Sequence, residues 1–308
     1  MKLFGIKLLS ISIVFVSILY GVDYLIQEGL KTSNYREVSK WNEVITGGIE
    51  ADILIVGSSR ALVHYDCELI EEITGKKCYN LGFDGTLFKH QQLMLDLYLK
   101  NNKAPETLVW NVDYHSFGNS REFYGFEQLM PYQNQLEVKL LLKANEVTDP
   151  MLYQIPLVRY SFNPKMKTIG ILNYIGLYSE RPALIKGYQK RDKVWDGKFD
   201  ELKMANKNGI LYEFNDALFQ EFSEELEELK QREMNIYLVV SPIYHEAKAL
   251  VSNSDEVTCW LRNLSQMNDF IFLDYSNDSI NYNKNFFYNG THLNEEGVNF
   301  FMKNFSVN

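Results

Sequence analysis

Cysteine is scarce in this 308-residue chain: Cys67, Cys78 and Cys259 are the whole supply, too few for a disulfide framework. No Cys/His group stands at metal-ligand spacing, so the sequence predicts no metal, and nothing in it asks for a cofactor. An excess of basic charge is missing too. Lys and Arg number 31 against 40 Asp and Glu, a net charge of −9, which excludes nucleic acid as the partner because phosphate binding needs a basic face. Repeats and low-complexity linkers are absent. The first 23 residues hold no cysteine for lipidation and no small-x-small cleavage site before Asp23, which argues against a processed leader.

What those residues do hold is an apolar run. From Leu3 to Val22 the single charge is Lys7, and about 20 such residues at ~1.5 Å each cross a hydrocarbon layer. Lys2 and Lys7 on the short side predict a single-pass anchor over 1–23 in the cytoplasmic membrane, N-terminus inside and the rest outside. Residues 3–22 thus make the bilayer a partner. Residues 24–48 read as a membrane-proximal helix or tether ending at Gly47-Gly48. In an exported domain Cys67 and Cys78 can pair across the first helix and the second strand; two separate buried thiols are the other reading.

Beyond the anchor, 46% hydrophobic and 14% aromatic residues supply one large core. Ala51–Val56 is a continuous apolar run, as in a central parallel strand, and a helix capped by Asp66 and stopped by Gly75 follows. Strands are predicted over 77–81, 107–112, 235–240 and 270–273, with helices over 87–101, 215–232, 255–267 and 294–305. The Glu-rich face of the 215–232 helix reads as a solvated surface. Alternation stops between Tyr114 and Gly209, where five of the seven prolines lie, so this stretch is predicted to be an inserted helical lid or subdomain. The α/β domain then comprises 49–113 and 210–308. Helices of this length between strands imply a mainly parallel, doubly wound sheet of about five strands, with ligands at the carboxyl edge.

That edge gathers Ser58 and Ser59 after the first strand, Asp84 and Gly85 after the second, and Asp113 and His115 after the third. Ser241 to His245 follow the fourth and Asp274 the fifth. A Gly-Ser-Ser turn can hold Ser59 clear of the sheet, and His292 in FFYNGTHLNEEG can act as its general base. Arg60 can bind a substrate carboxylate or phosphate, or form a structural ion pair. His245 can line the substrate or stand in as base, and Asp274 can orient the base or close a strand end. His64, His90 and His115 receive no role.

In these stretches the sequence resembles the SGNH (GDSL-type) hydrolase superfamily. Within it, the likeness is to the membrane-anchored bacterial branch that acylates cell-envelope polymers, including D-alanyl transfer proteins of teichoic acid synthesis and alginate acetylation proteins. Gly57-Ser58-Ser59 stands at the Gly-Asp-Ser block, YNLGFDG at the second block and Phe286–Gly297 at the last; the insertion has no counterpart. The resemblance implies a flavodoxin-like three-layer fold with Ser59 as nucleophile, His292 as base and Asn289 at the orienting position. Ser59 and Gly85 become backbone oxyanion donors, and Asp84, His245, Asp274 and Arg60 line the substrate. Two positions depart from the pattern. Asp113 stands where the family has an oxyanion-binding Asn, and Asn289 replaces the usual Asp. The implied function is an esterase or O-acyltransferase on acylated envelope polysaccharide or another ester. The alternative is a catalytically degenerate domain that binds glycan or scaffolds a membrane O-acyltransferase.

Overall fold

The protein is described by a computed structural model covering residues 2–118, 125–144, 147, 149–180 and 182–307. Residues 119–124, 145, 146, 148 and 181 of the expected insertion lie outside the described residues. In chain order, α1 (Lys2–Lys31) and α2 (Arg36–Thr46) precede β1 (Ile53–Val56), α3 (Ser59–His64), α4 (Cys67–Thr74), β2 (Cys78–Asn80), α5 (Phe88–Asn101) and β3 (Thr107–Asn111). Helices α6 (Leu136–Ala144), α7 (Pro150–Gln154), α8 (Pro164–Tyr174), α9 (Phe199–Ala205) and α10 (Asp216–Gln231) lead to β4 (Asn235–Val240). Then come α11 (His245–Leu250), α12 (Ser254–Asn268), β5 (Ile271–Asp274) and α13 (Glu295–Asn304). The chain divides into two compact units, Met1–Ile45 with Arg121–Ala183, and Thr46–Ser120 with Leu184–Asn308.

The second unit carries the sheet. Its five strands are all parallel in the order β2-β1-β3-β4-β5, the flavodoxin-like order expected. β1 and β3 are buried along their whole length, which is why they read as unbroken apolar runs. Side chains alternate across a strand, so neighbours in β3 show what covers each face. Trp110 packs against Phe88 of α5 and Phe222 of α10, in a cluster that includes Phe117 and Trp260. Asn111 faces the other way and accepts the Tyr65 hydroxyl at 2.9 Å, and the Tyr65 ring packs on Phe301 and Phe305 at the end of the chain. The domain is therefore three-layered. Asp66 caps α4 by accepting from the Glu68 and Leu69 amides, and Gly75 ends it at φ 71°. Cys67 and Cys78 are joined in a disulfide with Cα atoms 5.1 Å apart.

In the first unit α1 runs unbroken to Lys31, so residues 24–31 are not a loose tether. From Leu3 to Tyr20 all the large apolar side chains but Leu19 are exposed, whereas Ile26 and Leu30 are buried. The segment Leu3–Lys31 is long and apolar enough to cross a membrane, with mean hydropathy 2.2. Below that run the helix meets α8 backbone to backbone. A Cβ at Gly29 would lie 1.9 Å from the Gly170 carbonyl oxygen, and one at Gly170 would lie 2.6 Å from that of Ile26. Asn173 Nδ2 donates to the Gly29 carbonyl at 2.8 Å, and the buried Asp23 pairs with Arg159 while accepting the Leu157 amide at 2.8 Å.

The bounds expected for the insertion, 114–209, shift inward. Residues 184–209 group with the sheet unit because their backbone is stitched to it: Asn80 N donates to Lys186 O, Gln189 N to Leu62 O and Asp196 N to Tyr288 O, each at 2.9 Å. Gly118 likewise forms a bridge with Phe214. Such pairing leaves no periodic trace in the sequence.

Candidate active site

The strand-to-helix turn after β1 is built for close approach. Gly57 has φ 151°, a backbone closed to L side chains, and a Cβ there would meet Asn111 O at 2.7 Å and the Ala61 Cβ at 2.8 Å. Ser58, the residue before α3, is buried and sends its hydroxyl to Asp113 Oδ2 instead of capping the helix. Ser59 opens α3 half-buried, its own N–H among the unpaired amides of a helix start.

His292 reaches Ser59 from the loop before α13. Its Nε2 lies 2.8 Å from Ser59 Oγ, across 233 residues of sequence. The opposite nitrogen, Nδ1, lies 3.0 Å from Asn289 Oδ1 and 3.0 Å from Thr291 Oγ1. The tautomer follows from counting donors. Asn289 Oδ1 also accepts the Thr291 and His292 amides, each at 3.0 Å, and an amide N–H can only donate. Those two bonds fix the oxygen of Asn289 toward the loop, so Nδ1 carries the proton and Nε2 is the free base facing Ser59. The Tyr288 ring stacks on the imidazole at 5.4 Å, with planes 7° apart.

Behind this pair lies a second set of buried groups, in which His64 had no expected role and Arg60 forms the ion pair that was one of its two readings. His64 Nε2 accepts the Leu293 amide at 3.0 Å, next to the base, so its proton sits on Nδ1, 3.0 Å from Ser241 Oγ. Arg60, one helical turn earlier, donates to the Ser241 carbonyl and pairs with Asp113, Nη1 to Oδ1 at 2.9 Å. The available signal was the i, i+4 spacing of Arg60 and His64 on the helix that Ser59 opens, which puts both on one face.

Ser59 and His292 line a cavity of about 240 Å³ with Arg60 and Thr291. Tyr114, His115 and Tyr212 contribute rings, and Leu202, Ile210, Ile243, Ala247, Leu250 and Val251 complete the lining. Several residues expected here are not part of that lining. Gly85 is exposed, at φ 67°, and is not part of the lining. Asp84 lies 4.0 Å from Arg191, and His245 stacks on Tyr282 with centroids 4.8 Å apart. Asp274 accepts the Ser276 amide at 2.9 Å and lies 3.8 Å from Arg262; it does not orient His292. Asp113 also stands outside the lining: its oxygens are taken by Arg60 and Ser58. The carboxylate that stands at the family's oxyanion-binding position is thus turned to a guanidinium. Leu202, Ile210 and Tyr212 were missed because they belong to the stretch assigned to, or bordering, the insertion.

Burial, reinforced by the Arg60 charge, lowers the His292 pKa to about 4; Asp113 opposes the shift. Burial also lowers His90 to about 4 and takes His64 well below its ordinary range. In an unfolded chain these imidazoles titrate near ~6.5. Below that pH the unfolded chain binds protons the folded chain refuses, so stability is full above about 6.5 and falls as pH drops toward about 4. Each of His90 and His292 accounts for roughly 3 kcal/mol by the end of that window. Urea unfolding is expected to show a markedly lower midpoint at pH 5 than at pH 7.5; equal midpoints would contradict the neutral assignment.

No family model and no curated protein matches the sequence. Among solved structures, a protein from Streptococcus pneumonia with the provisional name platelet activating factor aligns over 97% of this chain and 95% of that one. Identity is 13% and the TM-score 0.38, a likeness too distant to bear on function.

Proposed function

We propose that the sheet unit is a serine acyl-transfer enzyme of the SGNH type, an esterase or O-acyltransferase acting on acylated cell-envelope glycan or a related ester. The observation that carries this reading is the Ser59–His292 contact of 2.8 Å with the base-competent tautomer held by Asn289. His292 Nε2 takes the Ser59 proton as Oγ bonds to the ester carbonyl carbon. Collapse of the tetrahedral adduct breaks the acyl carbon–oxygen bond, and the proton passes from Nε2 to the departing alkoxide. Water then regenerates Ser59 and yields a carboxylic acid; a glycan hydroxyl yields a new ester. The Ser59 N–H and the neighbouring Arg60 guanidinium, which lines the cavity and whose Nε has no partner among the described residues, are the candidates to hold the oxyanion.

In this reading α1 anchors the chain in the cytoplasmic membrane, and the Cys67–Cys78 disulfide suits an exported domain. The test is covalent. A fluorophosphonate probe added to the full chain in nanodiscs is expected to label Ser59, with labelling lost in Ser59→Ala. A folded wild-type protein that stays unlabelled would overturn the assignment and leave a glycan-binding or scaffolding domain.

A further inference from the structure

Within the first unit, the segment 150–158 (PMLYQIPLV) carries no charge, and it lies against α1 where the apolar run ends. Three contacts set its level. Tyr20 Oη donates to the Gln154 carbonyl at 2.8 Å, the Leu157 amide donates to Asp23 at 2.8 Å, and Arg159 pairs with the same carboxylate. α7 therefore sits beside the last turn of the run, not beyond it. At ~1.5 Å per residue Tyr20 is about 26 Å from Leu3, inside a hydrocarbon layer ~30 Å thick that begins at Leu3. Helix side chains lean toward the N-terminus, so the Tyr20 contact draws α7 toward that layer and not away from it.

The surface at this level is apolar. Met151 and Ile155 are 52% and 43% exposed, whereas Leu152 between them is buried. On α1, Tyr20 and Tyr24 are 53% and 57% exposed, and tyrosine gathers at membrane–water boundaries. Single exposed apolar side chains are ordinary on a surface that faces water. Here they adjoin the exposed apolar length of α1 through the Tyr20–Gln154 contact, and Asp23, the first acidic residue of α1, is buried and paired.

We infer that residues 150–158 are a second membrane contact, an uncharged segment seated in the headgroup–acyl boundary of the leaflet that Tyr20 and Tyr24 reach. The occupant of this face is lipid. The inference rests on the reading of α1 as a membrane anchor and extends it: the first unit is seated on the bilayer at a fixed depth instead of hanging from one helix. Asp149, exposed where it caps α7, and Arg159, paired with Asp23, bound the segment with the charges it lacks inside.

The experiment reads depth by fluorescence quenching. Val14→Cys, Met151→Cys, Ile155→Cys and Asn34→Cys, each in the full chain with Cys259→Ser, carry bimane in phosphatidylcholine nanodiscs containing lipid with a nitroxide near the top or the end of one acyl chain. Val14 lies near the middle of the apolar run, and Asn34 is exposed beyond the end of α1. That end is roughly 16 Å past Tyr20. The labels at 151 and 155 are expected to be quenched by the upper nitroxide about three times as strongly as the label at 34, as for side chains buried ~5–10 Å into the boundary. Both positions are exposed, and quenching at either in a folded variant supports the inference. Quenching at neither above the level at 34, with the label at 14 quenched, would overturn it and leave the anchor standing; a face meant for a protein partner gives this result, because lipid alone is present. A label at 14 that escapes both nitroxides would overturn the anchor and the inference together.

Discussion

His292→Ala is expected to reduce ester turnover by about 10⁴-fold or more, Ser59→Ala to do the same, and the double variant to fall no further. The size follows from what the imidazole supplies. A serine hydroxyl is a weak nucleophile at neutral pH, and without a base at 2.8 Å its proton has no destination. The lack of additivity follows from the two groups acting as a unit: once either is gone, the other has nothing to pass a proton to or from. Replacing the orienting Asp of a serine protease with Asn costs about 10⁴, mostly because the imidazole turns up in the wrong tautomer. Here Asn289 escapes that penalty, since two backbone amides hold its oxygen toward Nδ1. It still brings no charge to steady an imidazolium, and a base already lowered to about 4 is correspondingly modest. Steady-state assays on soluble esters measure all three variants; a double variant ten or more times slower than either single would indicate that the residues do not work as a pair.

The strands were legible because their burial is written as composition. β1, β3 and β4 are apolar runs of strand length bounded by turn residues, and the structure returns them within a residue or two. The carboxyl-edge rule gathered the right neighbourhood and then stopped. It places Asp274, Asp84 and His245 at strand ends without saying where each side chain turns, and local partners decided that: the Ser276 amide, Arg191 and the Tyr282 ring. The resemblance named Asn289 and His292, which the structure brings to Ser59, whereas Gly85 is exposed and outside the cavity lining. Least legible was the loop-borne wall of the cavity. Leu202 and Ile210 reach it because α9 and the Ile210–Val251 bridge lie in the stretch after Pro182 that belongs to the sheet unit. Backbone pairing between distant segments carries no pattern that periodicity can detect.

Asp113→Asn is expected to be among the most destabilising conservative substitutions in the sheet unit, at about 3–5 kcal/mol, because it strands Arg60. The pair is almost dry, with the Arg60 and Asp113 side chains 4% and 1% exposed. The carboxylate meets Arg60 Nη1 at 2.9 Å with one oxygen and receives the Ser58 hydroxyl with the other, while Asn111 Nδ2 lies 3.4 Å away. An amide keeps the shape but offers only one acceptor atom, and the guanidinium keeps its charge at an almost fully buried site without its carboxylate. Thermal unfolding should move down by roughly 10 °C. The double variant Arg60→Met/Asp113→Leu separates charge from shape: it removes both ions, fills the space with apolar atoms, and should recover part of the loss even as a single Arg60→Met does not. A double variant no more stable than Asp113→Asn would mean that the hydrogen bonds to Ser58 and Ser241, not the stranded charge, dominate. The same pair bears on the base. Arg60 lowers the His292 pKa and Asp113 raises it, so losing the carboxylate leaves the guanidinium unopposed beside an imidazole that must accept a proton. Turnover should therefore fall in Asp113→Asn even at temperatures where the protein remains folded, which ties the buried pair to the chemistry as well as to the fold.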